Sequence, residues 1–69
     1  MSVKKLTEQL VTKAQLETIM TAWATAAEVP TKGKKAFVCW PNKEHAEITC
    51  TDKRDDCGQH LYRIEFFQH

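Results

Sequence analysis

The sequence lacks most of the features that usually indicate an activity. Its 69 residues include two glycines, two prolines and three cysteines, and the net charge is +1. So small a charge does not by itself indicate a nucleic-acid partner. We find no strong catalytic or cofactor signature, and we therefore expect neither an enzyme nor a bound cofactor.

The sequence also lacks long apolar runs. No stretch approaches the ~20 apolar residues that cross a membrane. Lys4 and Lys5 are followed by Leu6-Thr7-Glu8-Gln9, whereas a signal peptide has an apolar run there. The cysteine count is odd, which disfavours a closed set of disulfides. We therefore predict a cytoplasmic protein with Cys39, Cys50 and Cys57 as thiols.

The composition is that of an ordinary globular protein, with 42% hydrophobic and 28% charged residues. A chain of this length is predicted to form one domain, residues 1–69. It buries only about 60% of the surface that it exposes when unfolded, so we expect marginal stability. Binding on a face or an edge suits so small a core better than a deep catalytic cleft.

Two helices are predicted in the N-terminal half. Residues 3–10 place Val3, Leu6 and Leu10 on one side of a short helix, with Ser2 as a candidate N-cap. A longer helix is predicted over residues 13–28, and proline at position 30 ends it. Its signals are a Thr12–Gln15 capping box, a Val11–Leu16 staple and the apolar series Leu16, Ile19, Met20, Trp23 and Ala27.

The stretch from residue 35 to 51 is predicted to be a β-hairpin. Its turn would contain two residues, 42–43, or four, 41–44, and both lengths give the same strand pairs. Cys39 would then lie opposite Ala46, Phe37 opposite Ile48 and Trp40 opposite His45. Because side chains alternate along a strand, one face would be apolar and the other mixed. The predicted apolar set is Phe37, Cys39, Ala46, Ile48 and Cys50, and the mixed set is Val38, Trp40, His45, Glu47 and Thr49.

A last strand is predicted over residues 61–68, with Tyr62, Ile64 and Phe66 turned inward. Antiparallel pairing with the middle strand would place Ile48 opposite Ile64 and Cys50 opposite Tyr62. The predicted fold is therefore α+β, with two N-terminal helices packed on a three-stranded antiparallel β-meander.

The predicted functional surface is the outer face of this sheet. Its binding residues would be Trp40, His45, Phe67, Arg63 and Glu47, in which aromatic anchors have a charged rim. The sequence thus predicts a protein-binding module, such as an inhibitor or adaptor of the kind that phages and mobile elements encode. The exposed edge of the third strand is a second predicted contact, for a partner strand or for a homodimer. The alternative is that the first helix covers the face.

Two other functions stay open. Lysines 4, 5, 32, 34 and 35 would serve a nucleic-acid-binding module as phosphate contacts. Cys57 and His60 have a spacing that can hold zinc, with Cys50 and either Asp55 or Asp56 as further ligands. His45 and His69 are expected near the hairpin tip, away from that loop. Because four Cys and His ligands are not available there, we predict no metal ligands, and a zinc-stabilised small domain stays the further alternative.

Overall fold

The computed structural model describes residues 3–69, which form one four-stranded antiparallel sheet with a single helix packed on one face. In chain order the elements are β1 (Lys4–Thr12), α1 (Lys13–Ala22), β2 (Lys35–Cys39), β3 (Glu44–Arg54) and β4 (His60–Gln68). The strand order across the sheet is β1-β4-β3-β2. The predicted fold of two helices on a three-stranded meander is therefore wrong.

The segment predicted as the first helix is strand β1. It pairs antiparallel with β4, from Lys4 opposite Gln68 to Thr12 opposite Leu61. A helix of about eight residues is marginal in water, whereas the edge of β4 offers a full row of backbone hydrogen-bonding groups. Non-local pairing therefore overrides the local helical spacing. Ser2, the predicted N-cap, lies outside the described residues.

The start of α1 confirms the predicted capping box. The backbone N–H of Gln15 donates to the Thr12 hydroxyl at 3.3 Å. In return, the backbone N–H of Thr12 donates to the side-chain oxygen of Gln15 at 3.0 Å. Val11 and Leu16, the predicted staple, are both buried in the core. The strand thus passes directly into the helix, because Thr12 ends β1 and also caps α1.

The predicted end of this helix, at residue 28, is wrong. The helix ends at Ala22, and Ala24 has a left-handed backbone with φ of 54°. Trp23, at the C-cap, packs edge-on against Trp40 and Phe66, with ring centroids 5.1 and 5.9 Å apart. The helical propensity of the following alanines does not extend α1 past this aromatic cluster.

The predicted hairpin register is also wrong, by one residue. Val38 lies opposite Ala46, and Cys39 lies opposite His45. The turn contains three residues, 41–43, because the Trp40 amide donates to the Glu44 carbonyl at 2.9 Å. Lys43 completes this turn in the left-handed region, with φ of 68°. An odd number of turn residues shifts the register, so every β2 side chain changes face.

The shift rearranges the predicted core. Val38 is buried and Trp40 packs against the core, whereas Phe37 is 57% exposed and Cys39 is exposed. The pairing of β3 with β4 is as predicted, with Ile48 opposite Ile64 and Cys50 opposite Tyr62. The buried core residues are Val11, Leu16, Met20, Val38, Ala46, Ile48, Tyr62 and Ile64.

This core lies on the side of the sheet that α1 covers. Ala27 and Val29, from the irregular segment between α1 and β2, pack against it on the same side. Within residues 3–69, the opposite side carries no helix. In the described range, α1 is too short and too polar to cross a membrane.

Candidate functional site

The uncovered side of the sheet, which we call the open face, is the candidate site. Paired residues on neighbouring antiparallel strands share a face, and the observed pairs place Glu8, Glu65, Glu47 and Phe37 in one row across the four strands. The open face includes Lys5, Glu8 and Leu10 of β1, Arg63, Glu65 and Phe67 of β4, His45, Glu47 and Thr49 of β3, and Lys35, Phe37 and Cys39 of β2.

Three carboxylates side by side would repel one another, and basic groups on the same face offset this repulsion. On β1 and β4, the Lys5 ammonium contacts Glu8 and lies 3.0 Å from a carboxylate oxygen of Glu65. The Arg63 Nε atom donates to the other Glu65 oxygen at 3.3 Å. The Lys5–Glu8 hydrogen bond raises the pKa of Lys5 and lowers the pKa of Glu8, and Glu65 raises the pKa of Lys5 further.

The third carboxylate, that of Glu47, bridges β3 and β2. One of its oxygens accepts from the Lys35 ammonium at 3.2 Å, and the other lies 3.1 Å from the His45 Nε2 atom. The hydrogen bond with His45 lowers the pKa of Glu47, and the bond with Lys35 lowers it further against the effect of partial burial. The middle of the open face is therefore a network of paired charges.

His45 is held on several sides. Its ring stacks on Phe67, with centroids 5.0 Å apart and an interplanar angle of 14°. Its Nδ1 atom lies 2.6 Å from the His69 Nε2 atom. The backbone amide of His69 donates to the Lys43 carbonyl at 2.8 Å, which fixes the end of β4 against the hairpin turn. The prediction that His45 and His69 lie near the hairpin tip is confirmed.

Apolar side chains lie at the two edges of the open face. Phe37, on β2, is 57% exposed, and Leu10, on β1, is 43% exposed. They flank the charge network on opposite sides, since β1 and β2 are the outer strands. The face thus combines apolar groups that water contacts with charges that are already paired.

The structure brings together four of the five predicted binding residues. His45, Phe67, Arg63 and Glu47 all lie on the open face, with His45 directly opposite Phe67. Trp40 does not, because it stacks on Phe66 and meets the edge of Trp23 on the helix side. Its predicted position on the outer face was wrong because the predicted register of the hairpin was shifted by one residue.

Sequence reasoning missed six residues of the open face. Lys35, Phe37 and Cys39 were assigned elsewhere because an even-numbered turn was assumed. Residues 5, 8 and 10 were missed because β1 was predicted as a helix. The sequence of β1 gives little signal for a strand, since residues 4–10 are all exposed, and the helical spacing of the leucines favoured a helix.

The predicted phosphate contacts are not gathered into one patch. Lys4 and Lys5 belong to one outer strand, and Lys35 belongs to the other. The three strand spacings between them amount to about 14 Å. Lys5, Lys32 and Lys35 each pair with a carboxylate of this chain. A continuous basic track for nucleic acid does not result from this arrangement.

The loop that carries Cys57 is organised by hydrogen bonds. One Asp55 carboxylate oxygen accepts from the amides of Cys57 and Gln59, at 3.0 and 2.8 Å. Arg54 donates to the Gly58 carbonyl at 3.0 Å. Across residues 3–69, no three His, Cys, Asp or Glu side chains are grouped in a way that could hold a metal ion. Asp55 therefore acts as a loop cap, and Cys57 and His60 lack further ligands beside them.

Comparison with known proteins adds no relative. No protein-family model matches the chain, and no curated protein or solved structure is significantly similar to it. The functional interpretation therefore depends on the open face itself.

Proposed function

We propose that this protein is a non-catalytic binding module whose open face docks on another protein. The observation that carries the proposal is Phe37, a large apolar side chain that is 57% exposed beside a network of charges. Interfaces commonly combine an aromatic anchor that enters a pocket with a polar rim around it. Phe37 would be the anchor here, with Lys35 and Glu47 in the rim.

The partner class that this chemistry favours is a folded protein with an apolar pocket for Phe37. The row of Glu8, Glu65 and Glu47 disfavours a phosphate backbone, which gains affinity from unopposed cations. Because the charges of the face are already paired, we expect them to affect partner choice and association rate more than affinity. A module of this size can act on its partner as an inhibitor or as an adaptor.

A face is better supported than a strand edge as the docking element. The predicted contact through the free edge of the last strand, which is β4, is disfavoured because β1 pairs with β4 along that edge. The exposed edge of β1 has an irregularity between Lys5 and Thr7 and carries two lysines. Bulges and lysines on an edge disfavour the addition of another strand. A homodimer through the edge of β4 is therefore less favoured than docking through the open face.

The location remains part of the proposal. Cys39, Cys50 and Cys57 are all free thiols, which supports a reducing compartment such as the cytoplasm. Cys39 and Cys57 are exposed, so an oxidising environment would endanger both of them.

The test begins with capture of partners from a lysate of the native host, followed by affinity measurement with the purified partner. Phe37→Ala should weaken binding by ~2 kcal/mol or more, which is roughly 30-fold in Kd. Its unfolding free energy should stay within about 0.5 kcal/mol of the wild-type value, because the side chain is exposed. Thr18→Ala, an exposed change on α1, is the control and should leave Kd unchanged.

Two results would contradict the proposal. One is a purified partner that binds Phe37→Ala as tightly as it binds the wild type. The other is a nucleic-acid partner, which a steep fall of affinity with salt would reveal, whereas a protein interface of paired charges should give a shallow one.

A further inference from the structure

Strand β2 is an outer strand, and in the described part of the chain only one of its edges is paired. The Trp40 amide donates to the Glu44 carbonyl, so these two residues form a hydrogen-bonded pair. Hydrogen-bonded and non-hydrogen-bonded pairs alternate along an antiparallel ladder. Val38 therefore bonds to β3. The backbone N–H and C=O groups that point away from β3 are those of residues 35, 37 and 39.

This edge of β2 is open to another extended chain. Outside the strand ladders, the backbone hydrogen bonds between residues 3 and 69 include none to these three residues. The pairing of β2 with β3 is regular throughout, and β2 contains no proline, whereas the pairing of β1 is irregular beside Lys5. Helix α1 packs over β1 and β4, so it leaves the edge of β2 clear. A row of free donors and acceptors without such protection pairs readily with a further strand.

A second copy of β2 has the complementary pattern of backbone groups. In an antiparallel pair centred on Phe37, this residue lies opposite Phe37 of the second copy, and Lys35 lies opposite Cys39. All three residues direct their N–H and C=O groups to the edge, so the three pairs exchange about six hydrogen bonds. No like charges stand directly opposite each other, which would be unfavourable. The net charge of +1 causes only weak repulsion between copies.

The side chains match in the same register. Phe37 is 57% exposed in the single chain, and the two rings would lie side by side on the open face. Aromatic pairs across strands are favourable beyond the area that they bury. On the helix side, Ala36 would lie opposite Val38 of the second copy, and both are apolar. A twofold axis through the Phe37 pair repeats each of these contacts.

We propose that two copies of this chain pair antiparallel through the free edges of β2, with the Phe37 residues on the twofold axis. The two four-stranded sheets then become one continuous sheet. Both open faces lie on the same side of it, because paired residues share a face. An edge of five residues gives an interface of the smallest class, so the dimer is weak and reversible. The inference goes beyond the proposed protein-binding function and does not require it.

Sedimentation of the purified protein in reducing buffer, without any partner, measures this dimer. We expect the average mass to rise from one chain toward two as the protein concentration increases. Phe37→Lys places two cations on the twofold axis and should weaken the dimer by at least ~30-fold in Kd. The matched control is Leu10→Lys, the same change of charge at the opposite edge of the open face, which should dimerise as the wild type does. Circular dichroism would confirm that both variants are folded.

Disulfide cross-linking tests the register. On oxidation, Lys35→Cys in a Cys57→Ser background should give a covalent dimer in which position 35 of each chain is linked to Cys39 of the other. The Cα atoms of such a pair are about 5.5 Å apart, within the range that a disulfide spans. Within one chain the same two positions are about 13 Å apart along β2, too far to be bridged. Peptide mapping identifies the linked positions.

Three results would overturn the inference. The first is a mass of one chain up to ~1 mM protein, and the second is a loss of dimer in Leu10→Lys as large as in Phe37→Lys. The third is cross-linking that joins Cys39 to Cys39 in place of position 35. Because neither experiment contains a partner protein, failure of this inference is distinguishable from failure of the proposed function.

Discussion

The two faces of the sheet are stabilised in different ways. On the helix side, Leu16, Ile48 and Ile64 are fully buried. On the open face, Glu47 and Glu65 keep 22% and 15% of their side-chain surface exposed and are held by ion pairs. A single helix of ten residues can shield only one side of a four-stranded sheet from water. The other side must therefore remain compatible with water.

Strand β3 shows the difference between neighbouring residues. Ile48 lies in the core, and Glu47, the residue before it, lies in the charge network. Full burial of an aliphatic side chain contributes about 1.5–3 kcal/mol, whereas an exposed ion pair contributes ~0–1 kcal/mol. Substitutions on the helix side should therefore affect folding, and substitutions on the open face should affect binding.

The largest expected loss of stability is on the helix side. Ile64→Ala removes a fully buried side chain and leaves a cavity, so unfolding should become easier by about 2–5 kcal/mol. A domain of this length has a total stability of roughly 3–10 kcal/mol. Urea denaturation measures the change, and a loss below ~1 kcal/mol would contradict the packing described for this face.

Trp40→Ala tests which face Trp40 belongs to. Its ring packs with Trp23 and Phe66 and is partly buried, so we expect a loss of about 2–3 kcal/mol, below the value for a fully buried tryptophan. Partner affinity of the folded fraction should stay unchanged. Thermal and urea unfolding measure the first effect. Unchanged stability together with weakened binding would instead place Trp40 on the open face.

Lys43→Gly tests the three-residue turn, whose length determines which side chains of β2 lie on each face. Lys43 adopts φ of 68°, which glycine reaches without the steric cost of a side chain. We expect the free energy of unfolding to rise by about 0.5–1 kcal/mol in urea titrations. The matched control is Asn42→Gly, at the neighbouring turn position, which should not stabilise the protein. Destabilisation by Lys43→Gly would argue against the three-residue turn.

The smallest expected effect is the dependence of stability on pH that Glu47 causes. The pKa of Glu47 is lower in the folded state than in the unfolded chain, because His45 and Lys35 stabilise its charged form. The contribution of Glu47 to the free energy of unfolding is therefore fully present above the pKa of the unfolded chain. It is lost as the pH falls through the lower pKa of the folded state. The wild type should exceed Glu47→Gln in stability by less than ~1 kcal/mol near neutral pH, and the gap should close in acid. High salt should also narrow it.

Part of the fold and of the site could be predicted from local patterns. The start of α1 follows from Thr12 and Gln15, whose side chains satisfy backbone groups within one turn. The alternation in β3 and β4 correctly placed Ile48 and Ile64 in the core and Glu47 on the open face, because strand side chains alternate whatever the partner is. The same alternation placed four of the five predicted binding residues on the open face.

The rest of the fold, and with it the remaining residues of the open face, depended on contacts between segments that are distant in the sequence. Residues 4–12 form a strand because β4 has a free edge to pair with, and the local spacing of their leucines does not contain that information. The end of α1 is set by contacts of Trp23 with Trp40 and Phe66, which lie far along the chain. In both cases the free energy of tertiary contact exceeds the weak local preference.

The sequence by itself determined the capped start of the helix and the side-chain alternation of β3 and β4, since both arise from neighbours along the chain. Only the tertiary structure determined that β1 completes the sheet and that Phe37 and Cys39, not Val38 and Trp40, lie on the open face. The latter choice rests on one extra turn residue and the left-handed backbone of Lys43. Because strand side chains repeat every two residues, that single residue moves all of β2 from one face to the other.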